Sequence, residues 1–154
     1  MTVAPLADHP QLITAVARMR WQEWGDEPGR EQLAWWVDVT RLEAGRDRLP
    51  VTWVAFDERG EALGAVGLAE YDIDERRDRS PWLVGMIVRA DLRRHGIGRR
   101  LVATLEDWAR AQAYARAWVA TGDPAVGFYQ ACGWELHETF ERADETTTVL
   151  SRRL

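Results

Sequence analysis

A nearly continuous apolar run from Trp82 to Val88 passes through a glycine-containing turn into the most amphipathic stretch of the sequence, about Gly96 to Tyr114. A second short apolar run, Ala117 to Ala120, follows. Strand, helix, strand in that order cannot close as a hairpin; the two strands lie parallel and the helix makes a right-handed crossover between them. An apolar strand without alternation is one covered on both faces. Within the helical stretch, Ile97, Leu101, Leu105 and Trp108 form one stripe, and Glu106 with Arg110 reads as an ion pair on the outer face. The chain is therefore committed to a mixed α and β architecture.

The flanking segments agree with it. An extended start near Val3 to Leu6 precedes a helix capped by Asp8 and carrying Leu12, Ile13, Val16, Met19 and Trp24 at helical spacing. Gly25 to Gly29 breaks that helix, and a second runs from about Arg30 to Ala44, with Leu33, Trp36, Val37, Thr40 and Leu42 along it and Gly45 as its stop. The period then changes to two. Val51 to Phe56 and Ala62 to Tyr71 read as a hairpin turning at Asp57 to Gly60, and the polar stretch 72–80 is a loop. Beyond Ala120 come a turn at Gly122, Asp123 and Pro124, a short helix from Ala125 to Ala131 ended by Gly133, and two β segments, Trp134 to Phe140 and Thr146 to Leu150, around Ala143 and Asp144. No repeat or linker interrupts this, so residues 1–154 are expected to form a single domain.

Composition removes several classes of function. The only cysteine, Cys132, cannot form an internal bridge, and with three scattered histidines it supplies no zinc framework. No apolar run reaches the length of a bilayer span and the start lacks the pattern of a signal peptide, so the expected location is cytoplasmic, with no membrane partner. Twenty basic residues against 25 acidic ones give a net charge of −5, which disfavours a nucleic-acid partner. Every basic residue is arginine, which excludes Schiff-base chemistry and self-acylation on a lysine. Nine tryptophans are many for one domain, and irregular core packing or the lining of a cavity are the two readings of the excess.

One segment runs against the acidic background. Arg89, Arg93, Arg94, Arg99 and Arg100 surround Gly96 and Gly98 where a strand delivers the chain to a helix N-terminus. Free N–H groups, the positive end of the helix dipole and glycines that let a ligand approach the backbone make a phosphate site; a solvated basic helix start is the plain alternative. The known phosphate loops do not fit: no Lys-Ser or Lys-Thr follows, and Leu101 stands where a dinucleotide fingerprint needs its third glycine. The acidic run Asp72, Asp74 and Asp78 lacks the central glycine of a calcium loop, and there is no Gly-x-Ser-x-Gly elbow.

The run Arg93-Arg94-His95-Gly96-Ile97-Gly98 resembles the signature of the GNAT superfamily of acyl-CoA-dependent N-acetyltransferases. The later segment Thr121 to Trp134, with Phe128-Tyr129, three residues, then Gly133-Trp134, is similar to that family's second motif, and the likeness is close from about Trp82 to Trp134. The resemblance implies a mixed, mostly antiparallel central sheet of about six to seven strands with about four helices on both faces. It implies acetyl-CoA as co-substrate and no metal, with the diphosphate on the backbone of Arg93, Arg94, His95, Gly96, Ile97, Gly98 and Arg99, and the pantetheine arm pairing along Met86, Ile87 and Val88. Phe128 is an expected cofactor contact. Gly85 would mark the bulge that splays this strand, and a backbone N–H near Met86 would polarise the thioester carbonyl. Gly122 stands where the family often has asparagine.

In the same reading Tyr129 is the general acid, since a phenol of pKa about 10 can protonate a departing thiolate whose thiol has pKa about 8.5. The general base is a choice among Glu70, Asp72 and Glu135, with Glu70 placed first. Trp24, Asp72 and Trp82 are the expected acceptor contacts, for an amine carried by a small molecule or a peptide N-terminus. The expected function is direct acetyl transfer, with a non-catalytic acyl-CoA sensor as the alternative from another class and an RNA surface on the arginine helix as the weakest. A homodimer is compatible with the resemblance.

Overall fold

The computed structural model describes residues 1–154, with strands β1 Thr2–Pro5, β2 Val51–Phe56, β3 Ala62–Ala69, β4 Trp82–Val88, β5 Arg116–Thr121, β6 Glu135–Arg142 and β7 Glu145–Arg153. Its α-helices are α1 Ile13–Trp24, α2 Leu33–Leu42, α3 Ile97–Ala111 and α4 Asp123–Ala131. The seven strands follow the order β1-β2-β3-β4-β5-β7-β6. β4 pairs parallel with β5 across the α3 crossover, while β1/β2, β2/β3, β5/β7 and β6/β7 are antiparallel, which is the expected mixed, mostly antiparallel sheet. The chain divides into two compact units, Met1–Leu68 with Gly85–Leu105, and Ala69–Val84 with Glu106–Leu154. No helix is long and apolar enough to cross a membrane.

In the first unit, Leu12, Ile13 and Val16 of the α1 region pack with Leu6, Val54, Ala62, Ala65 and Ile87 in one apolar cluster. The β2–β3 hairpin turns where expected. Asp57 Oδ1 accepts the N–H groups of Arg59 and Glu61, both at 2.9 Å, and Gly60 takes φ +77°. The helix starts differ from the sequence expectation. Asp8 caps nothing: it ends a short 3-10 turn and pairs with Arg46, while a second 3-10 turn at Pro10–Leu12 leads directly into α1. α2 begins at Leu33 because the carbonyls of Arg30 and Glu31 are taken by the indole N–H groups of Trp36 at 2.8 Å and Trp21 at 2.9 Å, which holds that stretch out of helix.

In the second unit, Ile73, Trp82 and Val149 pack with Val84, Trp118, Ala120 and Phe140. Ala143 and Asp144 turn β6 into β7 with φ +49° and +65°, the left-handed pair that suits a two-residue hairpin. The expected Glu106–Arg110 pair does not form. Glu106 is 6% exposed and accepts Trp134 Nε1 at 3.1 Å and Arg152 Nε at 2.8 Å, whereas Arg110 turns to Asp107 at 3.0 Å. The stripe that buries Val102, Leu105 and Ala109 includes position 106, so a carboxylate there is held by donors, the buried Trp134 indole and the partly exposed Arg152. α4 starts at Asp123, two residues earlier than expected, with Pro124 in its first turn, where a missing N–H costs nothing.

Candidate active site

The first unit carries the phosphate-like turn. After β4, a short 3-10 segment at Ala90–Leu92 leads to Arg93 and Arg94, the latter at φ +67°, and then to Gly96 at φ +84°. The ladder of α3 begins with Arg100 N–H on the Gly96 carbonyl at 3.1 Å, so the N–H groups of Ile97, Gly98 and Arg99 precede any helical acceptor. A Cβ placed on Gly96 would meet nothing within 4 Å, leaving the backbone open to a ligand. Residues 93–96 are exposed, while the Ile97 side chain is buried, so Ile97 could contribute only its backbone. His95 Nδ1 lies 2.9 Å from the Arg93 carbonyl and 3.2 Å from that of Leu92.

The five arginines are not equivalent. Arg89 is bound to Asp91 at 2.7 Å, holding that carboxyl below the usual carboxylate range, and Arg93 gives Nη2 to Glu23 at 3.0 Å and Nε to the Val88 carbonyl at 3.2 Å. Arg94 and Arg100 are exposed and ion-pair with no carboxylate, so they are the cations left for an incoming anion.

β4 itself is irregular at the expected glycine. Its parallel pairing with β5 is confined to Trp82 with Trp118 and Leu83 with Val119. Gly85 follows with φ +57°, and Met86 and Val88 are half-buried while Ile87 is buried. Sequence reasoning missed what lies against Gly85. Arg20 of α1, 2% exposed, donates Nε to the Gly85 carbonyl at 3.1 Å and Nη1 to Thr40 Oγ1 at 3.3 Å, with Glu43 Oε1 at 3.5 Å from Nη1. Its Nη2 has no partner. Burial pulls the guanidinium below its ordinary pKa and pushes Glu43 up, each opposed by the charge of the other. A signal was present, since Arg20 continues the stripe of Ile13, Val16 and Ala17.

Trp24, an expected acceptor contact, stacks on Trp36 with centroids 6.1 Å apart, and Trp35 meets Trp36 edge-on at 5.0 Å. Together with the two indole bonds that hold Arg30 and Glu31, these rings fix the α1–α2 loop.

The second unit carries the expected acid. Tyr129 is 4% exposed on α4, set edge-on to Phe128 at 5.1 Å and tilted against Trp134 at 5.8 Å. Burial pushes its phenol well above the ordinary tyrosine pKa, and Cys132 and Asp72 add to the shift. Glu70, Asp72 and Glu135 are all exposed. Trp82 has no exposed surface: its ring lies 6.2 Å from Trp118, its Nε1 donates to the Arg79 carbonyl at 2.8 Å, and it offers nothing an acceptor could touch. The loop after Asp72 is tied to β6, with Arg76 placing Nε and Nη2 on Glu138 at 2.6 and 3.1 Å and Arg79 adding Nη1 at 3.2 Å. No group of three or more His, Cys, Asp or Glu side chains is arranged to hold a metal ion.

Known proteins place these features in a context. The sequence profile of the Acetyltransferase (GNAT) family matches residues 11–134. The human protein N-acetyltransferase 8 is 33% identical over 123 residues, 78% of this chain but 52% of its own length, so the chain spans about half of that relative. Among solved structures, an aminoglycoside 6'-N-acetyltransferase complexed with coenzyme A superposes with a TM-score of 0.78 at 15% identity, covering 99% of this chain and 97% of the other. A spermidine N-acetyltransferase from Vibrio cholerae superposes with a TM-score of 0.73 at 14% identity, covering 99% and 95%. At these identities the two structures share a fold with this chain.

Proposed function

This chain belongs to the acetyltransferase (GNAT) family, and from that premise we propose that it transfers an acetyl group from acetyl-CoA directly to a primary amine of a small molecule or a peptide N-terminus. The observation that carries the reading is the turn at 93–98, where positive φ at Arg94 and Gly96 and an open face at Gly96 lead into the first turn of α3. The amides there suit a diphosphate, with Arg94 and Arg100 as uncommitted cations. The β4 segment Met86, Ile87 and Val88, beyond the short pairing with β5, suits an extended pantetheine arm, and Phe128 is a further cofactor contact.

In the proposed reaction the acceptor ammonium gives one proton to Glu70, and the free amine attacks the thioester carbonyl. The carbonyl oxygen gathers charge facing the Met86 N–H, the C–S bond breaks, and Tyr129 protonates the departing thiolate. The second nitrogen proton leaves to solvent, Tyr129 is reprotonated, and the products are the amide, the free thiol and one net proton. A phenol is protonated at neutral pH with or without the raise that burial causes here, so Tyr129 holds the proton that an acid must give. Trp24 and Asp72 are the proposed acceptor contacts, an aromatic face and a carboxylate that suit a cation.

Ligand-induced stabilisation tests the reading. Acetyl-CoA at 100 times its Kd stabilises a fold by about 2.7 kcal/mol, a rise of roughly 5–10 °C in Tm for a chain of this size. Gly96→Glu fills the open face with an anion, and it is expected to abolish the shift at a cost of about 1–2 kcal/mol for a side chain at positive φ. Thiol release with an aminoglycoside, spermidine and a dipeptide as acceptors then reads turnover. No shift in the parent protein refutes the proposal.

A further inference from the structure

We propose that Arg20 is a positioning residue for acyl transfer: its guanidinium fixes the Gly85–Met86 peptide plane and thereby aims the Met86 N–H at the thioester carbonyl oxygen. The inference rests on the reading above. A trans peptide is planar, so the Gly85 carbonyl and the Met86 N–H point in opposite directions across one rigid unit. Arg20 Nε holds that carbonyl at 3.1 Å, so the orientation of the N–H is set with it. Gly85 at φ +57° has the permissive backbone that any glycine has, so a brace on its carbonyl narrows the orientations open to the unit. A cationic donor on the carbonyl also polarises the amide, which strengthens its N–H as a donor.

Two further observations support a positioning role. A Cβ on Gly85 would lie 2.6 Å from Arg20 Nη2 and 2.7 Å from Cζ, so the guanidinium occupies the space that any other side chain at this position would need. The arrangement is also poor as a stabilising device. The buried guanidinium has only Thr40 Oγ1 at 3.3 Å and Glu43 at 3.5 Å beside its carbonyl bond, and Nη2 is left with nothing. An apolar side chain on the same stripe of α1 would avoid the desolvation of a charge. What the arginine provides that an apolar residue cannot is the hold on the Gly85 carbonyl.

The test reads the thioester directly. With acetyl-CoA labelled with 13C at the carbonyl, isotope-edited infrared spectra of the bound form are expected to show a carbonyl stretch below that of free acetyl-CoA in the parent protein. In Arg20→Met the stretch is expected to return toward the free value, while affinity for free CoA, held through the turn at 93–98, changes less than about threefold. With the fastest acceptor of the panel, kcat is expected to fall about 10- to 100-fold at nearly constant KM for acetyl-CoA, less than the loss of an entire oxyanion donor. Arg20→Lys, which keeps a charge and a single donor, is expected to lie between. A parent-like stretch in Arg20→Met overturns the proposal, and if that variant does not fold, a parent-like stretch in Arg20→Lys does so. Failure of the underlying function looks different, since the parent itself would then bind no acetyl-CoA or show no lowered stretch.

Discussion

Replacing Glu106 with leucine should weaken the second unit by an amount that can be worked out from its partners. The Trp134 indole, 2% exposed, would lose the acceptor that takes its Nε1 at 3.1 Å. An orphaned buried donor costs about 1–3 kcal/mol. Arg152 would lose its 2.8 Å bond, yet its side chain is 31% exposed and water can replace the carboxylate, so its share is near zero. The expected loss is about 2 kcal/mol, or roughly 4–8 °C in Tm at this chain length. Glu106→Gln keeps an acceptor oxygen and should cost about 1 kcal/mol or less. Trp134→Phe removes the donor, so the double variant Glu106→Leu with Trp134→Phe should lose less than the sum of the singles, by about 1–2 kcal/mol. Urea unfolding followed by far-ultraviolet circular dichroism measures the parent and the four variants. A change below about 0.5 kcal/mol for Glu106→Leu, or strict additivity in the double variant, would refute the assignment.

Two other expectations concern titration. Because burial raises the Tyr129 pKa, the phenol stabilises the fold below the unfolded value of about 10, and that contribution is lost as pH rises above it. Urea midpoints from pH 8 to 11 should therefore decline less steeply in Tyr129→Phe, whose kcat should be about 10²-fold lower or worse with affinity for CoA kept; an unchanged decline or a parent-like kcat counts against the role. Arg76, and then Arg79, hold the Glu138 carboxyl below its ordinary value, so its tie to the loop is present above an unfolded pKa of about 4.3 and fades as pH falls through the lower folded value. Glu138→Gln should speed amide exchange across residues 72–80 at pH 7, and equal exchange in the two proteins would show that the ion pairs do not hold the loop.

The crossover was legible because Trp82 to Val88 is an unbroken apolar run of strand length and the stripe of Ile97, Leu101 and Leu105 keeps a helical period, and the turn was legible because Gly96 and Gly98 stand among arginines. What escaped was polar chemistry inside apolar patterns. Arg20 sits at a position that helical spacing assigns to the core, while Glu106, read as an outer-face partner of Arg110, is in fact buried, and spacing cannot reveal which donors or acceptors wait there. The late start of α2 was hidden for a related reason. Its boundary is set by two indoles, one from α1 and one from α2 itself, that capture the Arg30 and Glu31 carbonyls, and such a competition is invisible to local propensity. Trp82 shows the reverse error, an aromatic assigned to an acceptor that is entirely occupied with its own unit's interior.

The outermost strands say something about company. β1 is four residues long and ends in Pro5, which has no N–H to offer. β6 carries Glu135, Glu138, Glu141 and Arg142 and shifts register between Leu136 and Glu138. A strand from another molecule would find a truncated ladder at one margin and a kinked, largely acidic one at the other. Self-association by extending the sheet is thus discouraged at both ends.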